Sequence, residues 1–442
     1  MQRMWFLLAA VGTALIAAST QTAHAEESAA TTKKAADRPN VVLIISDDHG
    51  WTDYGFMGHR QVCTPHLDRL ASQSLVFRRG HVPSSLCCPS LASIITGLYP
   101  HQHRVTCNDP PLPAGQERRN FQTSPAFREG REVMNRHLEA VPTLPRLLSE
   151  RGYLSLQTGK WWQGDFRRGG FTHGMTQGQR HGDVGLEIGR KTMQPIFDFI
   201  RTAKEQNRPF LVWYAPMMPH DPHTPPDRLL AKYRPLTPSL HVARYWAMVE
   251  WFDETCGQLL DYLDQQQLAE NTLLLYVADN GWIQNPEGPG PLRSKTTPYE
   301  AGLRTPILIR WPGRVTPRFT EELAISVDFA PTILAALGAP PTPEMQGINL
   351  LDEQAVKARS AIQGACYTHN AVDLNDPARN VLWRWTVREN WKLIVPANQA
   401  PQHELELYDV VADPSEQENL AARHPERVKS LSAELDRWWQ PR

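Results

Sequence analysis

Runs of consecutive apolar residues recur along the chain, and each run ends in a polar or glycine-containing segment. The runs lie at 40–46 (NVVLIIS), 210–215 (FLVWYA), 272–278 (TLLLYVA) and 306–310 (PILIR). Short runs of this kind, rich in β-branched and aromatic residues, predict buried β-strands. Strands that are apolar throughout are typical of a sheet that is covered on both faces.

Between these strands the spacing of apolar residues predicts helices. The helical stretches lie at 64–74, 143–151, 193–206, 242–266 and 326–337. Alternating strands and helices favour an α/β fold with a large mixed, mostly parallel sheet flanked by helices. In such a sheet the ligand site lies beyond the carboxyl ends of the strands, so we expect functional residues directly after each strand.

The pattern changes near residue 346. Shorter strand-like segments at 364–368, 381–389, 391–395 and 406–409 are followed by a polar helix at 414–439. This part predicts a smaller C-terminal antiparallel sheet with a terminal helix. We therefore divide the chain into a catalytic domain at 38–345 and a C-terminal α+β subdomain at 346–442.

The N-terminal segment has the three parts of a secretory signal peptide. Arg3 precedes an apolar run at 5–18, and Ala23-His24-Ala25 provides a small-residue cleavage site. We expect a signal peptide at 1–25, a polar spacer at 26–37, and export to the periplasm or the extracellular space. The apolar run is shorter than the ~20 residues that span a bilayer, so no membrane anchor is expected.

Composition narrows the classes of partner. The 442 residues carry 46 Lys+Arg against 47 Asp+Glu, so the formal net charge of −1 disfavours binding to nucleic acid. The hydrophobic fraction of 41% is enough for a large core. Six cysteines are too few for a disulfide scaffold in a chain of this length, although one or two bridges stay open.

Oxygen-bearing side chains follow two of the predicted strands. Asp47 and Asp48 come directly after the first strand, and Asp279 and Asn280 come after the strand at 272–278. Hard oxygen ligands suit Ca²⁺ or Mg²⁺. Either pair alone would also fit a turn or a helix cap. The occurrence of both pairs after apolar strands favours a metal site.

A second group of residues offers a nucleophile and cations. Cys87-Cys88-Pro89-Ser90 precedes an apolar stretch, and a cysteine at a helix N-terminus can have a lowered pKa. A buried inert thiol or one half of a disulfide fits the same pattern. Lys160, Lys295, His220 and His223 lie in loops after strands or turns, where each would also fit a solvated surface position.

Taken together, these segments resemble the motif series of the type I sulfatases in the alkaline phosphatase superfamily. The series runs in the family's order from about residue 38 to 420. Its members are 39–55 (PNVVLIISDDHGWTDYG), 64–71 (TPHLDRLA), 87–97 (CCPSLASIITG), 159–164 (GKWWQG), 278–281 (ADNG), 295–306 with Glu300-Ala301-Gly302, and 406–420 (ELYDVVADPSEQENL).

The resemblance implies a sulfatase that hydrolyses sulfate esters. In the family the motif cysteine, which matches Cys87, is oxidised by a maturation enzyme to Cα-formylglycine. The hydrate of this group attacks sulfur while Ca²⁺ neutralises the sulfate oxygens. The metal ligands that match here are Asp47, Asp48, Asp279 and Asn280, together with the modified residue at Cys87.

The remaining assignments also come from the resemblance. Lys160 and Lys295 match the lysines that bind sulfate, and His220, or its neighbour His223, matches the histidine that protonates the leaving alcohol. Tryptophans 51, 161, 162 and 282 lie near the motif loops and are compatible with a sulfated carbohydrate as substrate. Core packing explains these tryptophans equally well.

Two positions depart from the family pattern. Leu91 stands where the cysteine motif has arginine, and Trp162 stands where the lysine motif has the histidine that takes the proton from the formylglycine hydrate. An apolar side chain and an indole that can only donate cannot assume those roles. The nearby residues that could compensate are His101, His103 and Arg104.

Two other functions therefore stay open as alternatives to sulfate-ester hydrolysis. One is a phosphoesterase or phosphonate hydrolase of the same superfamily, since a metal and lysines also stabilise a phosphoryl transition state. The other is a catalytically weak binding protein that keeps the fold and the metal but has lost turnover at Leu91 and Trp162.

Overall fold

The computed structural model describes residues 38–441, so the predicted signal peptide and spacer lie outside the described residues. An eight-stranded sheet is built from β1 (Asn40–Ser46), β2 (Leu75–His81), β3 (Leu154–Gly159), β4 (His173–Gly174), β5 (Phe210–Ala215), β6 (Thr272–Ala278), β7 (Ile307–Arg310) and β8 (Arg318–Ile325). Their order across the sheet is β4-β3-β5-β1-β6-β7-β2-β8. Only β7 runs antiparallel to its neighbours β6 and β2. The predicted mixed, mostly parallel sheet is confirmed.

Both faces of this sheet are covered. In β1, Val41, Leu43 and Ile45 join the hydrophobic core on one face, whereas Val42 and Ile44 join the core on the other face. Because successive side chains of a strand point to opposite faces, a strand between two cores must be apolar at every position. This explains the uninterrupted apolar run at 40–46.

Helices surround the sheet. They are α1 (Pro65–Ser72), α2 (Cys87–Thr96), α3 (Pro100–His103), α4 (Arg118–Phe121), α5 (Pro125–Glu139), α6 (Leu144–Ser149), α7 (Gln194–Glu205), α8 (Asp227–Tyr233), α9 (Leu240–Gln265), α10 (Glu300–Leu303), α11 (Phe329–Ala336), α12 (Glu353–Ala358) and α13 (Pro425–Trp438). The cores contain α2 on one face and α9 on the other. Among the described residues, no helix is long and apolar enough to cross a membrane.

The C-terminal part forms a separate antiparallel sheet, as predicted. Its strands are β9 (Ala361–Tyr367), β10 (Val381–Arg388), β11 (Trp391–Pro396) and β12 (Glu406–Asp409), in the order β12-β11-β10-β9. The terminal helix α13 begins at Pro425 rather than at 414. The carboxylate of Asp413 accepts hydrogen bonds from the backbone of Gln417 and Glu418, so this segment forms turns instead of helix. The proposed boundary at 345/346 stays a prediction.

Candidate active site

The two pairs of oxygen-bearing residues lie side by side at one edge of the main sheet. Strands β1 and β6 are parallel neighbours with Ser46 opposite Ala278, so the residues after each strand meet. The backbone N–H of Asp48 donates to Oδ1 of Asp279 at 3.2 Å, and Nδ2 of Asn280 donates to Oδ1 of Asp48 at 2.7 Å. Together with Asp47, these side chains are buried. The sheet topology thus brings all four predicted metal ligands together.

Cys87 lies at the start of α2 and faces the same cluster. Its Sγ is 3.3 Å from Oδ1 of Asn280 and 3.9 Å from Oδ1 of Asp47. Burial, and then the charge of Asp279, raise the pKa of the Cys87 thiol well above its usual value. Of the alternatives that the sequence left open, the structure favours the buried thiol over one with a lowered pKa, because burial and the charge of Asp279 disfavour the thiolate.

The neighbouring Cys88 faces away from this cluster. Its Sγ accepts a hydrogen bond from Nε2 of Gln163 at 3.2 Å, and its backbone N–H donates to Oδ1 of Asn108 at 3.0 Å. All six cysteines lie within the described residues, and all are free thiols. None of the bridges that the sequence left open is formed.

Two lysines, the buried Lys160 and the partly buried Lys295, pair with the carboxylates. Nζ of Lys160, which directly follows β3, is 2.6 Å from Oδ1 of Asp47 and 3.7 Å from Oδ2 of Asp279. Nζ of Lys295 is 2.7 Å from Oδ1 and 2.8 Å from Oδ2 of Asp48. With every carboxyl ionised, three carboxylates face two ammonium groups, which leaves one uncompensated negative charge.

Burial and charge act differently on the three carboxyl groups. Burial, and then the charge of Asp279, raise the pKa of Asp47 well above its usual value. Burial raises the pKa of Asp279 as well, although the Lys160 ammonium opposes the shift. Burial also acts to raise the pKa of Asp48, but the Lys295 ammonium holds it well below its usual range. Without a further cation, ionisation of Asp47 and Asp279 is thus unfavourable, and a bound cation would favour it.

A divalent cation fits this donor set. Oδ2 of Asp47 and Oδ2 of Asp279 are buried and have no hydrogen-bond partner. Buried acceptors of this kind are rare unless a partner completes them. Ligand atoms of Asp47, Asp48, Cys87 and His220 lie within 4.8 Å of one another. Unpartnered carboxylate oxygens with excess negative charge suit a hard ion such as Ca²⁺.

His220 borders the cluster as a neutral imidazole. Its Nδ1 donates to the backbone carbonyl of Asp221, so its Nε2 is the acceptor. Nε2 lies 3.4 Å from Nζ of Lys295 and 3.4 Å from Oδ2 of Asp48. Burial holds the pKa of His220 well below its usual value, the Lys160 and Lys295 charges act in the same direction, and Asp48 opposes them.

His223 has different surroundings. Its ring lies 5.4 Å from the ring of Tyr245 and 6.0 Å from that of Trp282, and its Nε2 has no hydrogen-bond partner. Burial lowers the pKa of His223 to about 4. The structure therefore brings His220, rather than His223, against the carboxylates and Lys295.

Both positions that depart from the family pattern are buried. Leu91 lies one turn after Cys87 on α2 and is 1% exposed, within the hydrophobic core that contains β1. Trp162 is 2% exposed, and the guanidinium groups of Arg131 and Arg180 lie 5.4 and 4.8 Å from its ring centroid. Neither side chain replaces the polar group expected at its position.

His101, His103 and Arg104 could compensate for the polar groups missing at positions 91 and 162. The structure places them in other surroundings. His101 stacks on Trp439 with ring centroids 4.6 Å apart, and His103 bonds Oγ of Ser93 at 3.0 Å. Arg104 is exposed at the end of α3. None of them contacts the carboxylates or Cys87 in the hydrogen bonds and ion pairs of the described residues.

Instead, the structure reveals a histidine that sequence reasoning missed. The ring of His181 lies 6.1 Å from the ring of His220 and 4.3 Å from that of Trp162. It lies in the loop between β3 and β5, outside the motifs, and no sequence signal distinguishes it from the other loop histidines. Of the other tryptophans near the motif loops, Trp161 and Trp282 are buried and Trp51 lies under the guanidinium of Arg304.

Comparisons with known proteins agree with this arrangement. A family profile described as "Sulfatase" matches residues 39–339, more than half of the chain. A second, described as "N-sulphoglucosamine sulphohydrolase, C-terminal", matches residues 292–439. Arylsulfatase A from Homo sapiens is 31% identical over 366 residues, which cover 71% of this chain and 67% of that protein.

Two further relatives match this chain over different shares of their own length. An N-acetylgalactosamine-6-O-sulfatase from Bacteroides thetaiotaomicron is 25% identical, covering 91% of this chain and 93% of the relative. The chain spans 65% of the length of the N-acetylgalactosamine-6-sulfatase of Canis lupus familiaris, at 27% identity over 71% of this chain.

Solved structures support the fold. BT4656, solved in complex with its substrate D-glucosamine-2-N,6-O-disulfate, has a TM-score of 0.72 at 20% identity, covering 90% of this chain and 97% of that one. The phosphonate monoester hydrolase of Agrobacterium radiobacter has a TM-score of 0.67 at 19% identity, covering 90% and 95%. The fold is therefore shared by proteins named for sulfate and for phosphonate substrates.

Proposed function

Because the chain belongs to the sulfatase family of the alkaline phosphatase superfamily, we propose that it hydrolyses sulfate esters of a sulfated carbohydrate after export to the periplasm or the extracellular space. The observation that carries this proposal is the convergence of Cys87 with the carboxylates, Asn280 and both lysines at one edge of the sheet. Export rests on the signal-peptide pattern, and the substrate class on the relatives named for sulfated amino sugars.

Asp47, Asp48, Asp279 and Asn280 would hold a divalent cation, most suitably Ca²⁺, with Mg²⁺ as the alternative. When bound, the cation neutralises charge on the sulfate oxygens. The unpartnered oxygens of Asp47 and Asp279 support this assignment. The chain's own contribution is to fix these donors: parallel pairing of β1 and β6 sets their positions.

Cys87 is the residue at which a maturation enzyme would introduce formylglycine. When present, this group supplies a hydrated aldehyde as nucleophile, which a neutral buried thiol does not. The contacts of Sγ with Asn280 and Asp47, two of the proposed metal ligands, support this assignment. Cys88 has no such contact among the described residues.

The lysines and His220 would bind sulfate and handle the proton. Lys160 and Lys295 provide one buried and one partly buried ammonium group for an anionic substrate. Nε2 of His220 is its free acceptor, and Nζ of Lys295 is a donor 3.4 Å from it. We expect His220, once protonated at Nε2, to deliver that proton to the oxygen of the leaving alcohol, while Lys295 stays an ammonium group.

The test is to measure kcat/KM on an aryl sulfate, an aryl phosphate and a phosphonate ester. The protein is co-expressed with a formylglycine-generating enzyme, and conversion at residue 87 is verified by peptide mass spectrometry. We expect preference for the sulfate ester, loss of activity in Cys87→Ala, and retained activity in the matched control Cys88→Ala.

The two alternatives give different results in the same assay. A clear preference for phosphate or phosphonate would identify a phosphoesterase. Protein that is fully converted yet inert on all three esters would identify a binding protein. A panel of sulfated monosaccharides, including 6-sulfated N-acetylgalactosamine and N-sulfated glucosamine, then tests the substrate class.

A further inference from the structure

A buried carboxylate outside the metal cluster holds one arginine in a fixed orientation. Asp109 is fully buried, and its Oδ1 and Oδ2 accept hydrogen bonds from Nε and Nη2 of Arg180 at 2.8 and 3.0 Å. Such a two-point contact fixes the plane of a guanidinium as well as its position. Arg118 contacts Oδ2 of Asp109 more distantly, at 3.3 Å.

The anchored arginine in turn orients His181. Nη1 of Arg180 lies 2.8 Å from Nε2 of His181 and 3.3 Å from its Nδ1. A guanidinium can only donate hydrogen bonds, so the nearer nitrogen, Nε2, is the acceptor. In a neutral imidazole the proton then lies on Nδ1, which is left as a donor.

Trp162 forms the support for this pair. Its ring lies 4.8 Å from the guanidinium of Arg180 and packs edge-to-face against His181 at 4.3 Å. A histidine at position 162 would be too small to contact both groups in this way. The departure at Trp162 and the placement of His181 are therefore parts of one arrangement.

The arrangement faces the reaction centre. The charged and titratable groups around His181 are Arg180, Lys160, His220 and Lys295. Burial and these groups hold the pKa of His181 well below its usual value, so the imidazole is neutral. Residues 181–183 have φ values of 70°, 118° and 40°. Left-handed backbone at His181 and Asp183 costs energy and is concentrated at functional sites.

We propose that Asp109, Arg180 and His181 form an anion-binding arm of the site, in which His181 donates its Nδ1–H to an oxygen of the substrate's sulfate group. The ring of Trp162 supports the arm by packing against Arg180 and His181. This inference rests on the proposed function, since it assigns the ligand as the sulfate of the ester. The arm adds a neutral donor to the two lysines and leaves proton transfer to His220.

The test measures binding of inorganic sulfate by isothermal titration calorimetry to the full chain in the presence of Ca²⁺. This readout does not depend on turnover. We expect His181→Ala to weaken sulfate binding about 10- to 100-fold, the range for a hydrogen bond to a charged group. His181→Gln keeps an N–H donor and should stay within about threefold of the parent. The matched control is His173→Ala, an exposed histidine on the edge strand β4.

Coupling within the arm provides a second measurement. Arg180→Gln removes the partner that fixes the tautomer, so we expect its effect and that of His181→Ala to be non-additive in the double variant. Sulfate affinity that depends on His181 should be constant between about pH 6 and 8, because a neutral donor needs no added proton.

The outcomes separate this inference from the proposed function. If Lys295→Ala loses sulfate binding and His181→Ala does not, the arm is refuted while the proposed site stands. If the parent binds no sulfate, both are refuted. If affinity falls about tenfold per pH unit above neutrality and the fall disappears in His181→Ala, the residue binds as a cation and the neutral-donor assignment is wrong.

Discussion

Replacing Asp279 by asparagine should reverse the order of stability of the parent and the variant when Ca²⁺ is added. The amide keeps an oxygen that can accept the backbone N–H of Asp48, which donates at 3.2 Å. It also leaves the pairs Lys160–Asp47 and Lys295–Asp48 intact. The substitution therefore removes one charge with little change of shape.

The magnitude follows from the charges in the site. Asp279 is the carboxylate without a close lysine, since its contact to Nζ of Lys160 is 3.7 Å. At an effective dielectric constant near 20, that attraction is about 4–5 kcal/mol, whereas burial and the charges of Asp47 and Asp48 oppose ionisation of Asp279. Without metal the third carboxylate is thus unfavourable, and the variant should be at least as stable as the parent.

Bound Ca²⁺ should reverse the sign of the difference in free energy of unfolding between the parent and the variant. At a concentration 100 times its Kd, a ligand that binds only the folded state adds about 2.7 kcal/mol to the free energy of unfolding. The parent should gain this increment, whereas Asp279→Asn should gain little.

The assay is urea unfolding of both proteins in chelator and in excess Ca²⁺. The surface variant Asp198→Asn on α7 serves as the control, since its carboxylate is 48% exposed. A variant that keeps the full Ca²⁺ increment would refute the assignment of Asp279, and a parent with no increment would refute the metal site.

Three further predictions concern other residues. Only Cys87 should carry a modification in peptide mass spectra, because the Cys88 thiol faces Gln163; an aldehyde at Cys88 would contradict this. Leu91→Arg should lower the free energy of unfolding by about 1–3 kcal/mol, since it overpacks a core position that is 1% exposed. Sulfatase activity should fall as well, and urea unfolding with unchanged stability would show that the core has room. Burial raises the pKa of Asp253 to about 7 from an ordinary 3.8, so the folded state binds this proton more tightly than the unfolded state. The parent should therefore lose stability relative to Asp253→Asn as pH rises from about 4 to about 7, and urea midpoints that keep the same difference across this range would contradict the shift.

Within the main sheet, the strands that are apolar throughout were predictable from the sequence, whereas its partly polar strands were not. The ranges of β1, β5 and β6 agree with the apolar runs because two cores require apolar side chains at every position. Strand β2 was missed because Arg78 and Arg79 interrupt its apolar run. Edge strand β8 was missed because most of its first five residues are exposed, so its sequence carries no alternation between buried and exposed positions.

The same contrast holds for the site. Polar residues directly after strands could be placed from sequence, since parallel strands deliver their carboxyl ends to one edge of the sheet. Residues on loops could not. The position of His181 depends on three consecutive left-handed residues and on contacts with Arg180 and Trp162, which are distant in sequence from the carboxylates.

The two departures from the family pattern do not resemble random decay of an active site. Leu91 completes a hydrophobic core, and Trp162 packs near two guanidinium groups and against His181. Loss of selection would leave buried unpaired charges or cavities, which are costly, at the positions vacated by arginine and histidine. Here each position is filled by a side chain that fits its surroundings. Both lysines and the buried carboxylates are also all retained, although such a cluster is unfavourable for stability without a ligand. A chain that keeps this cluster while repacking its neighbours is better explained by a site that still binds a cation and an anion than by one that has lost both.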